Sequence, residues 1–274
     1  MPGSNDLAVI SSAANPLIKR MRLLADRKHR RREGAFVVQG AQPVWQAVEA
    51  GADIEALIVA PDLLSRAVTA AMVAQQEDRG IRVVRISSAL FGRLADRDGP
   101  SGLAAIVRAR TAALDDLTVP PRSLFVALHE VGNPGNLGTI IRTADAAGAA
   151  GVVLIGQTTD PFDPAAVKAT MGALFSVPVA HVPAADEFFA WTAGHGITVA
   201  AATAGAAGTF WDSELPVPLA ILLGSEGAGL PASILARGDL QVRIPMVGTA
   251  ESLNLAVAAG ILMYEARRKS GPAE

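Results

Sequence analysis

The chain has 274 residues, 50% of them hydrophobic, and a formal net charge of −2. This is ample for a core and predicts one large domain or two smaller ones. The absence of cysteine excludes disulfides, thiolate zinc sites and cysteine nucleophiles.

The opening Met-Pro-Gly-Ser-Asn-Asp has no basic and apolar leader, and no apolar run approaches the roughly 18 residues of a membrane span. The expected setting is cytoplasmic, with no membrane partner. Asn15 to Arg32 reads as a helix, with Leu17, Met21 and Leu24 at helical spacing. Short strands follow at Ala35 to Val38, Ala56 to Ala60, Arg82 to Ile86 and Leu103 to Ala109. Helical stretches lie between them, near Gln42 to Ala50, Pro61 to Gln76 and Ser88 to Leu94. This predicts a small α/β domain over residues 1–110. Residues 111–122, with Asp115, Asp116, Pro120 and Pro121, carry neither period and read as a linker.

Residues 123–274 predict a second α/β domain, whose strands are continuous apolar runs of the kind a sheet covered on both faces requires. They are Leu124 to Leu128, Gly151 to Ile155, Val177 to Val182, Ile197 to Ala202, Leu219 to Leu223 and Leu240 to Ile244. Helices are expected at Gly135 to Ala147, Pro164 to Ala173, Ala185 to Ala193, Pro231 to Ala236 and Leu253 to Arg268. Such a sheet takes ligands in the loops beyond the carboxyl ends of its strands.

Charge divides the same way. Residues 1–110 hold 16 Lys or Arg against 11 Asp or Glu, and residues 111–274 hold 8 against 15. Between Pro16 and Gly34 stand eight cations, Lys19, Arg20, Arg22, Arg27, Lys28, Arg30, Arg31 and Arg32, against Asp26 and Glu33. So one-sided a cluster predicts contact with a polyanion, a nucleic acid, with arginine suited to bidentate phosphate contacts. Phe36 and Trp45 are the nearest aromatics, which favours recognition of folded RNA shape and backbone over base stacking.

Three polar or glycine-rich segments follow strands of the second domain. The first, Asn133-Pro-Gly-Asn-Leu-Gly-Thr-Ile-Ile-Arg-Thr-Ala-Asp-Ala-Ala-Gly148, places Asn136 and Arg142 on an otherwise small and apolar helix. Two readings of Arg142 stand: a buried charge satisfied by a carboxylate, or a site group facing a cleft. The second, Gly224-Ser-Glu-Gly-Ala-Gly-Leu-Pro231, has glycines that let backbone approach a ligand, and Glu226 as its one carboxylate. The third runs from Ile244-Pro-Met to Leu255 and sets Ser252 and Asn254 at the start of the last helix.

Other chemistries lack their sequence support. Neither domain has Gly-x-Gly-x-x-Gly after its first strand, nor a lysine-containing phosphate loop. His29, His129, His181 and His195 are scattered without ligand spacing, so no metal is expected. Gly224-Ser225-Glu226-Gly227 lacks the spacing of a hydrolase nucleophile elbow.

Taken in this order, the three segments resemble the three motifs of the SpoU/TrmH family of RNA ribose 2′-O-methyltransferases, within the SPOUT superfamily. Ser12-Ala-Ala-Asn-Pro-Leu-Ile-Lys19 and Phe36-Val-Val-Gln-Gly40 resemble that family's accessory substrate-binding domain, carried by its ribosomal-RNA branch. The resemblance implies an α/β fold with a mostly parallel sheet and a deep trefoil knot, a rare exception to the rule against knots. It implies a homodimer with a composite active site, and S-adenosylmethionine held near Thr203, Gly205, Gly224, Ile244, Met246 and Leu253. The reaction implied is methyl transfer to a ribose hydroxyl of RNA, 23S-type ribosomal RNA first, transfer RNA second. Asn136, Arg142, Glu226, Ser252 and Asn254 are the implied catalytic set. The third motif departs from the family pattern at Leu255 and Ala256, where Val-Ser is common, but keeps Ser252 and Asn254. A non-catalytic RNA-binding or ribosome-assembly protein of the same fold is the rival reading, and the intact catalytic set weighs against it.

Overall fold

A computed structural model describes residues 9–94 and 101–271, so the opening Met-Pro-Gly-Ser-Asn-Asp lies outside the described residues. The chain divides into two compact units, residues 1–110 with 162–175, and residues 111–161 with 176–274.

The first unit begins with α1 (Pro16–Leu23) and α2 (Arg27–Glu33), followed by β1 (Ala35–Gln39), α3 (Ala41–Glu49), β2 (Ile54–Val59), α4 (Ala67–Asp78), β3 (Val83–Arg85), α5 (Ser88–Gly92) and β4 (Leu103–Arg108). Its sheet has the order β1-β4-β2-β3, with β4 antiparallel to both neighbours and β2 parallel to β3. The single helix expected over Asn15 to Arg32 is broken in two. Asp26 turns its carboxylate onto the Lys28 N–H at 2.8 Å and caps α2, a local bond that competes with continuing the first helix.

The second unit contributes β5 (Leu124–His129), α6 (Pro134–Ala146) and β6 (Gly151–Ile155). The chain then gives α7 (Pro164–Thr170) to the first unit and returns as β7 (Val179–Val182), α8 (Ala185–Gly194), β8 (Thr198–Ala202), β9 (Leu219–Leu223), α9 (Ala232–Leu235), β10 (Leu240–Val242) and α10 (Leu255–Ser270). The six strands run in the order β10-β8-β9-β5-β6-β7, every pair parallel. All residues of β5, β6 and β9 are buried, as strands covered on both faces must be.

Two segments depart from the expected domain division. In the stretch read as a linker, Ala112 donates to the Val179 carbonyl at 2.9 Å and Leu117 enters the core of the second unit. Val167 of α7, with Phe162 and Phe175 beside it, packs into the core of the first unit, where Phe162 lies 4.7 Å from Phe36 between ring centroids. Neither carries a period that would separate these roles in sequence.

Strand order also places the site. From β5 the chain moves outward through β6 and β7, then crosses to β8 and returns inward as β9 beside β5. The loops after β5 and β9 therefore diverge at a topological switch point, where open parallel sheets bind ligands. Among the described residues no helix is long and apolar enough to cross a membrane.

Candidate active site

The loop after β5 turns sharply at Glu130, whose φ is 53°. It then enters α6 through Asn133, whose Oδ1 accepts from the Asn136 N–H at 3.0 Å, with Pro134 in the first turn. Asn136 is thereby set at the mouth of the switch point. Its Nδ2 donates to Glu226 Oε1 at 3.0 Å, and its Oδ1 accepts from Asn254 Nδ2, also at 3.0 Å. Asn254 is the cap of α10, its Oδ1 accepting from the N–H groups of Ala256 and Val257 at 2.9 and 3.3 Å. The three motif segments thus meet in one chain of side-chain hydrogen bonds.

Glu226 accepts further bonds from the backbone N–H groups of Gly132 and Asn133, both at 3.3 Å. The residue is exposed as a whole, but its carboxyl group faces this loop. Burial opposes its ionisation more than any other single influence. The bonds from Asn136 and from the N–H groups of Glu226 itself, Gly132 and Asn133 together outweigh it and hold the carboxyl below its usual value.

Beside this network lies a cleft of about 510 Å³. Asn136, Thr203, Gly224, Glu226, Ile244, Met246, Ser252, Leu253 and Asn254 all line it, as do Asn133, Arg243 and Glu251. Its walls are largely apolar, from Leu223, Ile244, Met246, Leu253 and Leu262, with a few polar groups, the usual make-up of a small-molecule site. Gly224 is required by space. A Cβ there would lie 2.1 Å from the Gly229 carbonyl carbon and 2.4 Å from the Leu230 nitrogen, so only glycine lets the loop close on itself. An adenosyl group fits such a surface of apolar walls and close backbone.

Two expected members stand outside the cleft. Gly205 does not line it; its N–H donates to Thr203 Oγ1 at 3.4 Å. Arg142 does not line it either. The reading of Arg142 as a buried charge is overturned, because the residue is exposed on α6 and makes no ion pair among the described residues. Arg243 and Glu251 were missed in the sequence. Arg243 looks like the end of a strand and Glu251 like a loop charge, and only the fold brings both to the cleft.

In the first unit, Lys19, Arg22, Arg27, Lys28, Arg31 and Arg32 are exposed. Two members of the expected RNA-binding set do structural work instead. Arg30 is 3% exposed, and its Nη1 donates to the carbonyls of Leu24 and Ala25 at 3.1 and 2.7 Å, closing the turn between α1 and α2. Its Nη2 also pairs with Asp163 at 3.4 Å. Arg20 bridges Glu55 at 2.6 Å and Glu33 at 2.7 Å, and these two, Glu55 foremost, raise its pKa. A cavity of about 350 Å³ adjoins the basic helices, lined by Arg22, Arg93 and Lys168 over Met21, Leu24 and Phe91.

Among the described residues no group of three or more His, Asp or Glu is placed to hold a metal.

With this geometry in view, comparisons with known proteins agree in both units. The sequence profile of the SpoU rRNA Methylase family matches residues 123–264, and that of the MRM3-like substrate binding domain matches residues 15–105. A 23S rRNA (uridine(2479)-2'-O)-methyltransferase of Streptomyces viridochromogenes is 34% identical over 90% of this chain and 87% of its own length. The 23S rRNA (guanosine(2553)-2'-O)-methyltransferase RlmP of Bacillus subtilis is 29% identical over 94% of this chain and 98% of its own. The crystal structure of an AdoMet-bound rRNA methyltransferase from Sinorhizobium meliloti superposes with a TM-score of 0.87 at 36% identity, covering 95% of this chain and 97% of that one. The chain belongs to the SpoU rRNA methylase family, with an MRM3-like substrate-binding domain ahead of the methylase domain.

Proposed function

We propose that the chain is an S-adenosylmethionine-dependent RNA ribose 2′-O-methyltransferase acting on 23S-type ribosomal RNA, as a cytoplasmic homodimer. The observation that carries this is the hydrogen-bonded series Glu226, Asn136, Asn254, joining all three family motifs along one wall of an apolar cleft. The 23S choice is supported by relatives of that name that match through both units.

S-adenosylmethionine, when bound, supplies an electrophilic methyl group on a sulfonium. Thr203, Gly224, Ile244, Met246 and Leu253 would hold its adenosyl part. Asn136, Ser252 and Asn254 would position the ribose and its phosphate. A guanidinium offers hydrogen-bond donors and no acceptor, so Arg142 is assigned to orienting the 2′-hydroxyl and stabilising negative charge developing on that oxygen, not to removing its proton.

The homodimer reading is supported by an apolar stripe on α10, Val257, Ile261 and Tyr264, which are 51%, 37% and 54% exposed. Spacings of four and three residues place them on one helix face. Exposed Arg142 then completes the cleft of the partner subunit. In the first unit, Lys19, Arg22, Lys28 and Arg31 form the RNA-facing surface.

The direct test is transfer of a labelled methyl group from S-adenosylmethionine to 23S RNA, followed by mapping of alkali-resistant linkages. Transfer to a base, or to transfer RNA alone, would sink the proposal.

A further inference from the structure

Arg243 has no part in the network described above. It follows β10, is half-buried, lines the cleft, and makes no side-chain hydrogen bond or ion pair among the described residues. Its backbone is fixed on both sides, the N–H donating to the Gly208 carbonyl at 3.2 Å and the carbonyl accepting from the Phe210 N–H at 3.0 Å. A half-buried arginine on a fixed backbone, with no carboxylate paired to it among the described residues, calls for an anionic partner. Glu251 lines the same cleft, and its carboxylate is likewise uncommitted among the described residues. Glu226 differs, since its oxygens are already occupied by Asn136, Gly132 and Asn133.

Among the described residues with which one subunit lines the cleft, the uncommitted charges are therefore one cation and one anion. An RNA phosphate suits Arg243 alone and meets Glu251 and Glu226 as like charges. A zwitterion suits the pair.

We infer that Arg243 and Glu251 form the subsite for the amino-acid end of S-adenosylmethionine, Arg243 receiving the α-carboxylate and Glu251 the α-ammonium. This rests on the proposed cofactor cleft and adds residues outside the catalytic set. Charge-assisted pairs of this kind set affinity and also select for an intact amino-acid end.

Three ligands separate the two contacts. S-adenosylmethionine has the α-carboxylate and the ammonium, decarboxylated S-adenosylmethionine loses the carboxylate and keeps the ammonium and sulfonium, and 5′-methylthioadenosine has none of these groups. Calorimetric titration of the full chain is expected to show Arg243→Gln weakening S-adenosylmethionine roughly tenfold to a hundredfold, while the other two ligands stay within about twofold of wild type. Glu251→Gln is expected to weaken both ammonium-bearing ligands and to spare 5′-methylthioadenosine, whose binding also reports that each variant is folded. Equal losses on all three ligands would mark a structural role and overturn the inference. Unchanged S-adenosylmethionine affinity, with any loss confined to RNA binding, would overturn it too. Wild-type protein that binds none of the three overturns the cofactor cleft itself, and the subsite with it.

Discussion

Asn254 Nδ2 donates to Asn136 Oδ1 at 3.0 Å, and this one bond fixes the polarity of both amides. Asn254 Oδ1 is claimed by the first N–H groups of α10, so its amino group must face outward. Asn136 meets it with oxygen and has only its amino group left for Glu226. The start of α10 is thus coupled, through two amides, to a carboxylate on the loop after β9.

Asn136→Asp keeps the size of the side chain and inverts this logic. It replaces the donor to Glu226 with an acceptor and sets two carboxylates at hydrogen-bonding distance. The expected result is a folded protein whose Glu226 titrates higher than in wild type, by carbon-detected NMR, with methyl transfer reduced at least about a hundredfold, the scale of one lost positioning contact. Near wild-type turnover would refute the role given to the network.

The pH dependence of stability follows with a definite sign. The folded-state pKa of Glu226 lies below the ordinary 4.5, so its contribution is complete above 4.5 and drains away as pH falls through the lower folded value. Glu226→Gln mimics the protonated form at every pH. Urea midpoints of the two proteins should therefore differ at neutral pH and converge below 4.5. A gap of constant size down to acid pH would mean that the carboxylate is not stabilised by its loop.

Gly224→Ala tests the loop from the other side. The added Cβ meets backbone atoms of Gly229 and Leu230, with no flexible side chain to yield. A cost of about 3 kcal/mol is expected, at the upper end for overpacking, together with loss of S-adenosylhomocysteine binding. Retention of both melting temperature and binding would show that the loop can re-form without this contact.

What the sequence discloses here depends on how local each signal is. Asn133, Pro134 and Gly148 bracket α6 because caps and terminators act within one turn, and the helix indeed spans Pro134–Ala146. The cleft lining was legible where glycines and polar side chains interrupt apolar strands, as at Gly224 and Asn254. Arg30 was not, since its partners are carbonyls of a preceding turn and Asp163, 133 residues away. Composition counts it with the basic face, and burial removes it. Arg142 shows the converse: its apolar setting in sequence left burial as one of two readings, but the apolar residues Leu137, Ile140, Ile141 and Ala144 take the inner face of α6 and leave it outside.

That exposure yields a prediction about assembly. Arg142→Ala removes an exposed side chain that makes no ion pair among the described residues, so stability should change by less than about 0.5 kcal/mol and cofactor affinity should hold, while methyl transfer is lost. If the chain is the proposed homodimer and Arg142 completes the partner's cleft, mixing Arg142→Ala with Asn136→Ala subunits should restore activity at one of the two sites of a mixed dimer. Ile261→Glu, in the middle of the α10 stripe, should yield a monomer in sedimentation that binds cofactor but does not methylate. An inactive mixture of two well-folded dimers would place Arg142 in the site of its own subunit.

The basic helices of the first unit contain two kinds of arginine, and salt dependence tells them apart. Arg30→Met leaves the Leu24 and Ala25 carbonyls without their side-chain donor and removes the cation from Asp163, whose Oδ1 keeps the Ala165 N–H, so it should destabilise the fold by roughly 3 kcal/mol. Arg22, Lys28 and Arg31 are exposed, and replacing all three with alanine should leave stability nearly unchanged. If these three meet phosphates, each released contact lowers the slope of log affinity against log salt by about 0.7 to 0.9. The triple variant should therefore bind a 23S RNA fragment more weakly at low salt and approach wild-type affinity as salt rises. Parallel lines for the two proteins would mean that these cations do not touch the phosphate backbone, and the RNA-facing surface of the first unit would have to be sought elsewhere.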